Sequence, residues 1–319
     1  MIMPDKTQNT PRERPPGYQT CSLPRDTVAN ESEPPCYHNG AEFMRDADLP
    51  LPPPEMGYLS SSSGNAPSDD AERAHIFCEV PLYLPTKPSG VVYSSAQVHD
   101  LHPVWSRDFQ GDLKAISRGR WKGSTRDRSG DCLVSTNYPV YFSVEDSPFA
   151  TKNSRTIYFE IKLLGLRAEP GAGATDSSGF SIGFIAQPYP YWRSPGWERE
   201  GIGVFSDDGC RFVNDSWGGK KFTEAFGIGE TVGLGITFRL PLSLPTTLEN
   251  RNNKCEADIF FTRAGDIIGA WDLHEEVDED SGSLEGLEGD FDLYGAIGLF
   301  GGVDFEVCFD RVGWLWQPP

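Results

Sequence analysis

Two short segments near the start of the chain place a pair of prolines just ahead of a tyrosine. They hold Pro15, Pro16 and Tyr18 in the stretch RERPPGYQT, and Pro34, Pro35 and Tyr37 in the stretch NESEPPCYHNG. Consecutive prolines hold a polyproline II conformation, so such a segment loses little entropy when it docks into an aromatic groove. The tyrosine fills a second pocket and fixes the direction of the chain. The pattern P-P-x-Y is typical of a ligand for WW domains.

The spacing of the two motifs suits a partner with more than one WW domain. Nineteen residues separate Pro15 from Pro34, and a flexible tether of that length spans about 24 Å root-mean-square. Two weak ligands on one tether act at an effective concentration near millimolar, which raises the overall affinity by roughly 10²-fold or more. HECT ubiquitin ligases with several WW domains suit such a ligand, and the motifs therefore predict such a ligase as a partner.

Two further stretches hold large aromatic residues among glycine and proline. Tyr191, Trp192 and Arg193 lie in QPYPYWRSPGW, and Trp217 lies in NDSWGGKK. Tryptophan, tyrosine and arginine dominate the energetics of protein interfaces. These four residues are the predicted contact set for a protein partner. The alternative is that the stretches are packed corners of the fold, which is the preferred interpretation for Trp197.

Patterns for catalysis or for a bound cofactor are weak. His99, Asp100 and His102 form one short cluster, HDLH, which is not enough for a metal site. No G-x-S-x-G elbow supplies a nucleophile. The glycine-rich GAGATDSSG precedes a strand instead of a helix, which is the wrong context for phosphate, and GGKK lacks the rest of a P-loop. We predict a protein that is not an enzyme and binds no metal and no cofactor.

The charge of the chain limits the partner classes. The formal net charge is −19, which argues against nucleic acid, because its phosphates would be repelled. Fourteen Asp and Glu residues lie between Ala264 and Asp310 with no Lys or Arg, and such a run is typical of a solvated loop. Seven basic residues lie between Arg107 and Arg128 with three acidic ones. We interpret that stretch as a solvated flank, with contact to an anionic membrane surface as the alternative.

Cysteine usage and hydropathy indicate a compartment. The seven cysteines are scattered and form no C-x-x-C pair, so zinc fingers and redox motifs are not expected. The first residues contain no apolar core of a signal peptide, and no eighteen apolar residues run together. We expect a reducing, cytoplasmic location and no transmembrane segment.

Composition separates a tail from a folded body. Residues 1–75 are rich in Pro, Ser, Asp, Glu and Asn and show no period of 2 or 3.6, which predicts a disordered tail. From HIFCEVPLYLP onward the sequence consists of short runs of strand-forming residues bounded by turns. The body is interrupted by PLSLPTTLENRNNKCE and by the acidic HEEVDEDSGSLEGLEGDFD, and both are predicted to be long surface loops.

The strands of the body are predicted from residues that alternate between two faces. In TIYFEIKLLG the apolar face holds Ile157, Phe159, Ile161 and Leu163, and VDFEVCFD alternates in the same way. In TVGLGITF the face opposite the apolar one carries glycines, which predicts that something packs close to it. SDDG before CRFV is a hairpin signal, and ADIFFTRAGDIIGAW reads as strand, turn and strand. Strands every ten or so residues with almost no amphipathic helix favour an all-β, antiparallel β-sandwich.

The order of these strands resembles a SPRY domain. The stretches YFEIKL, GFSIGFIAQPYPYWRSPGW, IGVFSDDGCRF, GETVGLGITF, DIFFTRAGDIIGAW and LYGAIGLFGGVDFEVCFD follow one another as they do in that family. The resemblance is strongest to the branch with Ran-binding protein M and the fungal SPRY adaptors of WW-domain HECT ubiquitin ligases. The most specific pattern, P-Y-P-x-aromatic-R-x-P-G-W, is met by Pro188, Tyr189, Pro190, Trp192, Arg193, Pro195, Gly196 and Trp197.

The resemblance implies a bent, two-sheet sandwich whose loops bind a partner without catalysis. On this basis residues 130–319 are assigned to the SPRY domain and 76–129 to its N-terminal extension. We expect a non-catalytic adaptor: the tail recruits a WW-domain HECT ubiquitin ligase, and the loops bind a cargo protein for ubiquitination and sorting at endosomal or vacuolar membranes. The alternative is a SPRY interaction subunit of a larger complex, such as a multisubunit ubiquitin ligase or a chromatin methyltransferase assembly, with incidental Pro-Tyr motifs.

Overall fold

Short antiparallel strands make up most of the described chain. The computed structural model describes residues 67–85, 101–167, 177–215, 219–242, 254–276 and 284–318, all within the unit Glu55–Pro319. The predicted motif residues Pro15, Pro16, Tyr18, Pro34, Pro35 and Tyr37 lie outside this part of the chain, and so does Trp217.

Two sheets of seven strands each are formed by the described residues. The first sheet has the order β1-β4-β13-β6-β7-β8-β9 and the second β12-β11-β10-β5-β14-β3-β2. The strands are β1 (Pro103–Trp105), β2 (Gly111–Ser117), β3 (Arg120–Thr125), β4 (Cys132–Thr136), β5 (Arg155–Arg167), β6 (Gly179–Ala186), β7 (Gly201–Phe205), β8 (Cys210–Val213), β9 (Lys220–Lys221), β10 (Thr231–Arg239), β11 (Glu256–Arg263), β12 (Asp266–Asp272), β13 (Leu293–Phe300) and β14 (Gly302–Cys308).

Four short helical segments lie wholly within the described residues. They are α1 (Ser68–Phe77), α2 (Pro148–Thr151) and two 3₁₀ turns, Leu273–Glu276 and Arg311–Gly313. Ser147 caps α2 by accepting a hydrogen bond from the Phe149 amide. The all-β, antiparallel class that the sequence predicts is confirmed.

The core lies between the two sheets and is built by the predicted alternation. On β5, Ile157, Phe159, Ile161 and Leu163 are all buried in it. The apolar faces of β10 and β14 join the same cluster, because every second side chain of a strand points to the same side of its sheet. Burial on this scale is the main stabilising contribution to such a fold.

The glycines of β10 are covered, as the sequence predicts. A Cβ atom on Gly233 would lie 2.0 Å from the Tyr158 hydroxyl oxygen, and one on Gly235 would lie 2.2 Å from the Phe260 ring. These two rings stack with centroids 5.7 Å apart. Trp316, which follows the last strand, packs on both of them. The outer face of the second sheet is thus closed by aromatic rings that only glycine can accommodate.

The hairpin signals are also confirmed. The strands β7 and β8 pair antiparallel across the SDDG turn, where Gly209 has a φ of +71°. The strands β11 and β12 pair in the same way. The predicted extension 76–129 contributes β1 to the edge of the first sheet and β2 and β3 to the edge of the second.

The helix α1 is a departure from the sequence prediction. It begins at Ser68, within the segment 1–75 that composition predicts to be disordered, and its Ala74 is fully buried. Composition averaged over the whole tail hides this helix, because ten residues of mixed polarity are surrounded by prolines and serines.

The acidic insertion is not a surface loop throughout. Leu284 and Leu287 are buried in the core between the sheets, and the Glu288 side chain is buried beside Lys254 and His274. Two apolar residues among the carboxylates suffice to draw the end of this insertion into the fold. For residues 284–292 the prediction of a solvated loop is therefore wrong.

Candidate protein-binding loop

The aromatic segment 187–200, called here the Trp192 loop, connects β6 to β7 and folds back over the outer face of the first sheet. Its Pro195 lies where the side chains of Gly183 and Gly203 would otherwise be: a Cβ on Gly183 would approach Pro195 to 2.6 Å, and one on Gly203 would approach its carbonyl oxygen to 2.2 Å. Glycine at these two strand positions lets the loop backbone approach the sheet closely.

Tyr189 fixes the shape of the loop from inside. Its hydroxyl donates to the carbonyl oxygen of Ser194 at 2.7 Å and accepts from the Glu198 amide at 3.1 Å. The ring packs with Leu133 and Ile185 in a small apolar cluster on the outer face of the sheet. A buried tyrosine whose hydroxyl is satisfied in this way holds the two ends of the loop together.

Arg193 is not an exposed anchor for a partner. Only 3% of its side chain is accessible; Nε donates to Glu198 Oε1 at 2.6 Å, and the guanidinium lies 4.5 Å from the centre of the Trp197 ring. The expectation that its side chain faces a partner is therefore wrong, because the guanidinium is paired with Glu198 inside the loop. Its role is to neutralise a buried carboxylate.

Trp192 lies at the surface of the loop, half-buried beneath α1. Its Nε1 donates to the carbonyl oxygen of Asp70 at 3.0 Å, and Arg73 lies 4.1 Å above its ring. Phe77 meets the same ring edge to face with centroids 5.6 Å apart. Tyr191 also meets Trp192 edge to face, with ring centroids 4.8 Å apart, and is 42% exposed.

The predicted contact set is thus divided. Tyr191 and Trp192 form one aromatic pair at the surface, Arg193 turns inward from the same loop, and Trp217 lies outside the described residues. The tyrosine–tryptophan pair stays the candidate for partner contact. Aromatic residues that are rigid and partly exposed are the types that dominate interface energetics.

Three acids with raised pKa values lie in or beside the loop. Burial raises the pKa of Asp131 to about 6 and that of Glu200 to about 8, although Arg193 and Arg199 respectively act to lower them. Burial also raises the pKa of Glu198, against the opposing effect of Arg193. These shifts express the cost of placing carboxylates in a water-poor environment. They belong to the packing of the loop, since Glu198 is paired with Arg193 and Glu200 with Arg199.

Sequence reasoning missed the helix that covers Trp192. The signals were present: Pro67 precedes a first turn with Asp69 and Asp70, and His75 stands in the last turn. Acidic residues at the start of a helix and a basic residue at its end both favour the helix dipole. A local window would have detected the helix, but nothing in the sequence indicates which surface it covers.

Two other kinds of site are absent from the described residues. Within these ranges, no three His, Cys, Asp or Glu side chains are arranged to hold a metal ion. None of the helices seen in the structure is long and apolar enough to cross a membrane.

Comparison with known proteins finds similarity to SPRY proteins. No protein-family model matches the chain. A SPRY domain-containing protein of Schizosaccharomyces pombe is 28% identical over 42% of this chain and 26% of its own. A protein SSH4 of Vanderwaltozyma polyspora is 28% identical over 33% of this chain and 16% of its own. The Ran-binding proteins 9/10 homolog of Drosophila melanogaster is 25% identical over 73% of this chain and 21% of its own.

The architecture and these relatives together define the class. The chain has the two antiparallel sheets expected of a SPRY sandwich, and its sequence aligns with SPRY proteins in both fungi and an insect. In sequence it is similar to SPRY-domain proteins. The matched region spans only about a quarter or less of each relative's own length.

Proposed function

We propose that this chain is an adaptor that brings a WW-domain HECT ubiquitin ligase to a cargo protein. The two P-P-x-Y motifs bind the ligase, and the surface around Tyr191 and Trp192 binds the cargo. The chain itself contributes proximity, while the ligase supplies the reactive cysteine. The cargo is then ubiquitinated and sorted at endosomal or vacuolar membranes.

The observation that carries this proposal is the pair of motifs on the same chain as a SPRY sandwich. Relatives with SPRY domains, SSH4 proteins among them, support a protein-interaction or adaptor role. The step from that role to a ligase rests on the residues Pro15 to Tyr18 and Pro34 to Tyr37, which present the same P-P-x-Y ligand twice within the reach of tandem WW domains.

Titration of the full chain with a recombinant pair of WW domains from a HECT ligase tests the ligase half of the proposal. We expect binding that the double change Tyr18→Ala and Tyr37→Ala abolishes. Each single change should weaken binding by roughly 10²-fold, because the avidity of two sites on one tether is lost. Isothermal calorimetry at fixed salt measures all four titrations.

Tyr58 provides a matched control. It follows three prolines in LPPPEMGY, but at a spacing that does not fit P-P-x-Y. Tyr58→Ala should therefore leave the affinity unchanged. A double variant of Tyr18 and Tyr37 that titrates like the parent chain would rule out recruitment through these motifs.

One observation favours a second function. The alignment with the Ran-binding proteins 9/10 homolog extends over 73% of this chain, more than the alignments with the two fungal relatives described above. It favours a SPRY interaction subunit of a larger complex, with incidental Pro-Tyr motifs. In that case the chain would co-purify in a stable assembly, and the double tyrosine variant would assemble as the parent does.

A further inference from the structure

Helix α1 occupies the surface that the aromatic pair of the Trp192 loop would otherwise present. Three contacts converge on one indole: the Asp70 carbonyl accepts from Nε1, Arg73 covers the face of the ring, and Phe77 meets its edge. A tryptophan that makes a hydrogen bond, a cation–π contact and an edge-to-face contact at once resembles a filled binding pocket. The occupant in this case is part of the same chain.

Two side chains of α1 contact the Trp192 ring. Arg73 and Phe77 are four residues apart, so they lie one turn apart on the same face of the helix. The third contact uses a backbone carbonyl, which any helix in this position would offer. The surface therefore selects a short helix with an arginine one turn before an aromatic residue.

Few residues of α1 are buried against the sandwich. Ala74 is the one residue of this helix that is buried, and Ile76 is 62% exposed. Pro67 at the N-cap makes no side-chain capping bond. A helix of ten residues is marginal in water without tertiary packing. With so few buried contacts, α1 should open at a lower free-energy cost than the core strands do.

The residues after α1 are attached to the loop separately. The Tyr83 amide donates to the carbonyl oxygen of Gln187 at 2.8 Å, and the Arg199 guanidinium donates to the carbonyl oxygen of Val80. These backbone contacts lie outside α1, so they do not depend on the contacts of the helix with Trp192. They would keep a detached α1 beside its surface.

We propose that the Trp192 loop is a docking surface for a helix with arginine and an aromatic residue four positions apart, which α1 fills in cis until a cargo helix with that pattern displaces it. This inference rests on the proposed cargo role of the loop. Because a tethered helix acts at an effective concentration on the order of millimolar, a competitor needs contacts that α1 lacks. Tyr191, 42% exposed beside Trp192, offers them.

A labelled peptide of residues 67–80, with Cys78→Ser, tests the surface directly. It is titrated by fluorescence anisotropy against the full chain and against the full chain with Arg73→Ala and Phe77→Ala. We expect the variant to bind the peptide at least tenfold more tightly than the parent, because its surface is vacated. Adding Trp192→Ala to the variant should abolish this binding.

Ile76→Ala is the matched control, since it changes an apolar residue of the same helix that is exposed. It should behave like the parent chain. Equal affinity of the parent and the Arg73 and Phe77 variant, absence of binding to either, or binding that survives Trp192→Ala would each overturn the proposal.

The thiol of Cys78 gives a second measurement in the intact chain. Cys78 directly follows α1 and is half-buried, and burial raises its pKa to about 11. With Cys21→Ser and Cys36→Ser as background, Arg73→Ala and Phe77→Ala should speed maleimide labelling of Cys78 at least threefold, and Ile76→Ala should not. An unchanged rate would contradict the release of α1. Neither measurement uses the P-P-x-Y motifs, so its failure leaves ligase recruitment standing, and the reverse also holds.

Discussion

At the scale of single residues, the Trp192 loop shows why residue type alone does not identify a contact residue. Tyr191, Trp192 and Arg193 are consecutive and all belong to the types found at interface hot spots. The structure gives them three different environments: exposed, covered by α1, and buried on Glu198. The difference lies in the loop backbone, which turns the arginine inward where the buried carboxylate needs a partner.

The first prediction concerns the contribution of Arg193 to stability. Arg193→Ala should lower the free energy of unfolding by about 3–5 kcal/mol, because it leaves the Glu198 carboxylate buried without its charge partner. The double change Arg193→Met and Glu198→Leu removes both charges and keeps apolar volume, so most of that loss should be recovered. Urea denaturation of the full chain, followed by tryptophan fluorescence, measures both values.

The control for this cycle is Arg73→Ala, an arginine whose side chain is 56% exposed on α1. It should change the free energy of global unfolding by no more than about 0.5 kcal/mol. An Arg193→Ala variant as stable as this control would mean that the guanidinium is not needed inside the loop, and Arg193 would return to the set of partner contacts.

At the scale of elements, β10 shows how one strand closes both faces of its sheet. Its apolar residues face the core between the sheets, while Gly233 and Gly235 leave room for Tyr158 and Phe260 on the other side. Trp316 then covers these rings, and the main chain at Leu315 and Trp316 is held by the buried Glu160 carboxylate through two amide donors at 2.9 Å. The end of the described chain is in this way part of the fold.

Gly233→Ala should therefore destabilise the protein by about 1–3 kcal/mol through overpacking. The added methyl would lie 2.0 Å from the Tyr158 hydroxyl oxygen, so the ring must shift and its hydrogen bonds to Glu160 and Thr262 must stretch. Thermal melts measure the change as a lower melting temperature, by roughly 2–4 °C per kcal/mol for a body of this size.

Gly130→Ala is the matched control for this change. A Cβ on Gly130 would meet nothing within 4 Å, and the residue is exposed. Its melting temperature should stay close to that of the parent chain. If the two alanine variants melt together, the close cover on Gly233 is not a constraint on the sequence.

The sequence predicts most of these elements because strand periodicity is local. Alternation in β5, β10 and β14, the hairpin turns and the two glycines of β10 follow from neighbours two residues apart. The contact of α1 with Trp192 does not follow from local periodicity, because Arg73 and Phe77 lie more than a hundred positions before Trp192 in the sequence. The buried end of the acidic insertion was hidden for the same reason: Leu284 and Leu287 find their partners only in the assembled core.

At the scale of the whole molecule, the proposed binding roles lie in separate parts of the chain. The P-P-x-Y motifs precede α1 in sequence, and α1 precedes the strands. A cargo that displaces α1 would therefore act on the segment that links ligase recruitment to the sandwich. In the proposed adaptor, this order would let cargo binding at the Trp192 loop affect the segment that connects the ligase motifs to the sandwich.

The last prediction concerns the residue at which the tail ends and the folded body begins. Composition places it at about residue 75, whereas α1 docks from Ser68 onward. Digestion of the full chain with proteinase K, read by intact mass, should therefore leave a protected fragment that starts between residues 55 and 68, because a docked helix resists cleavage. In the Arg73→Ala and Phe77→Ala variant, α1 loses its contacts to Trp192, and the start of the fragment should move to residue 78 or beyond. The exposed Ile76→Ala change should leave the start where it is in the parent. A parent fragment that already begins after Phe77 would show that α1 does not protect this segment, and the tail would then extend to the length that composition predicts.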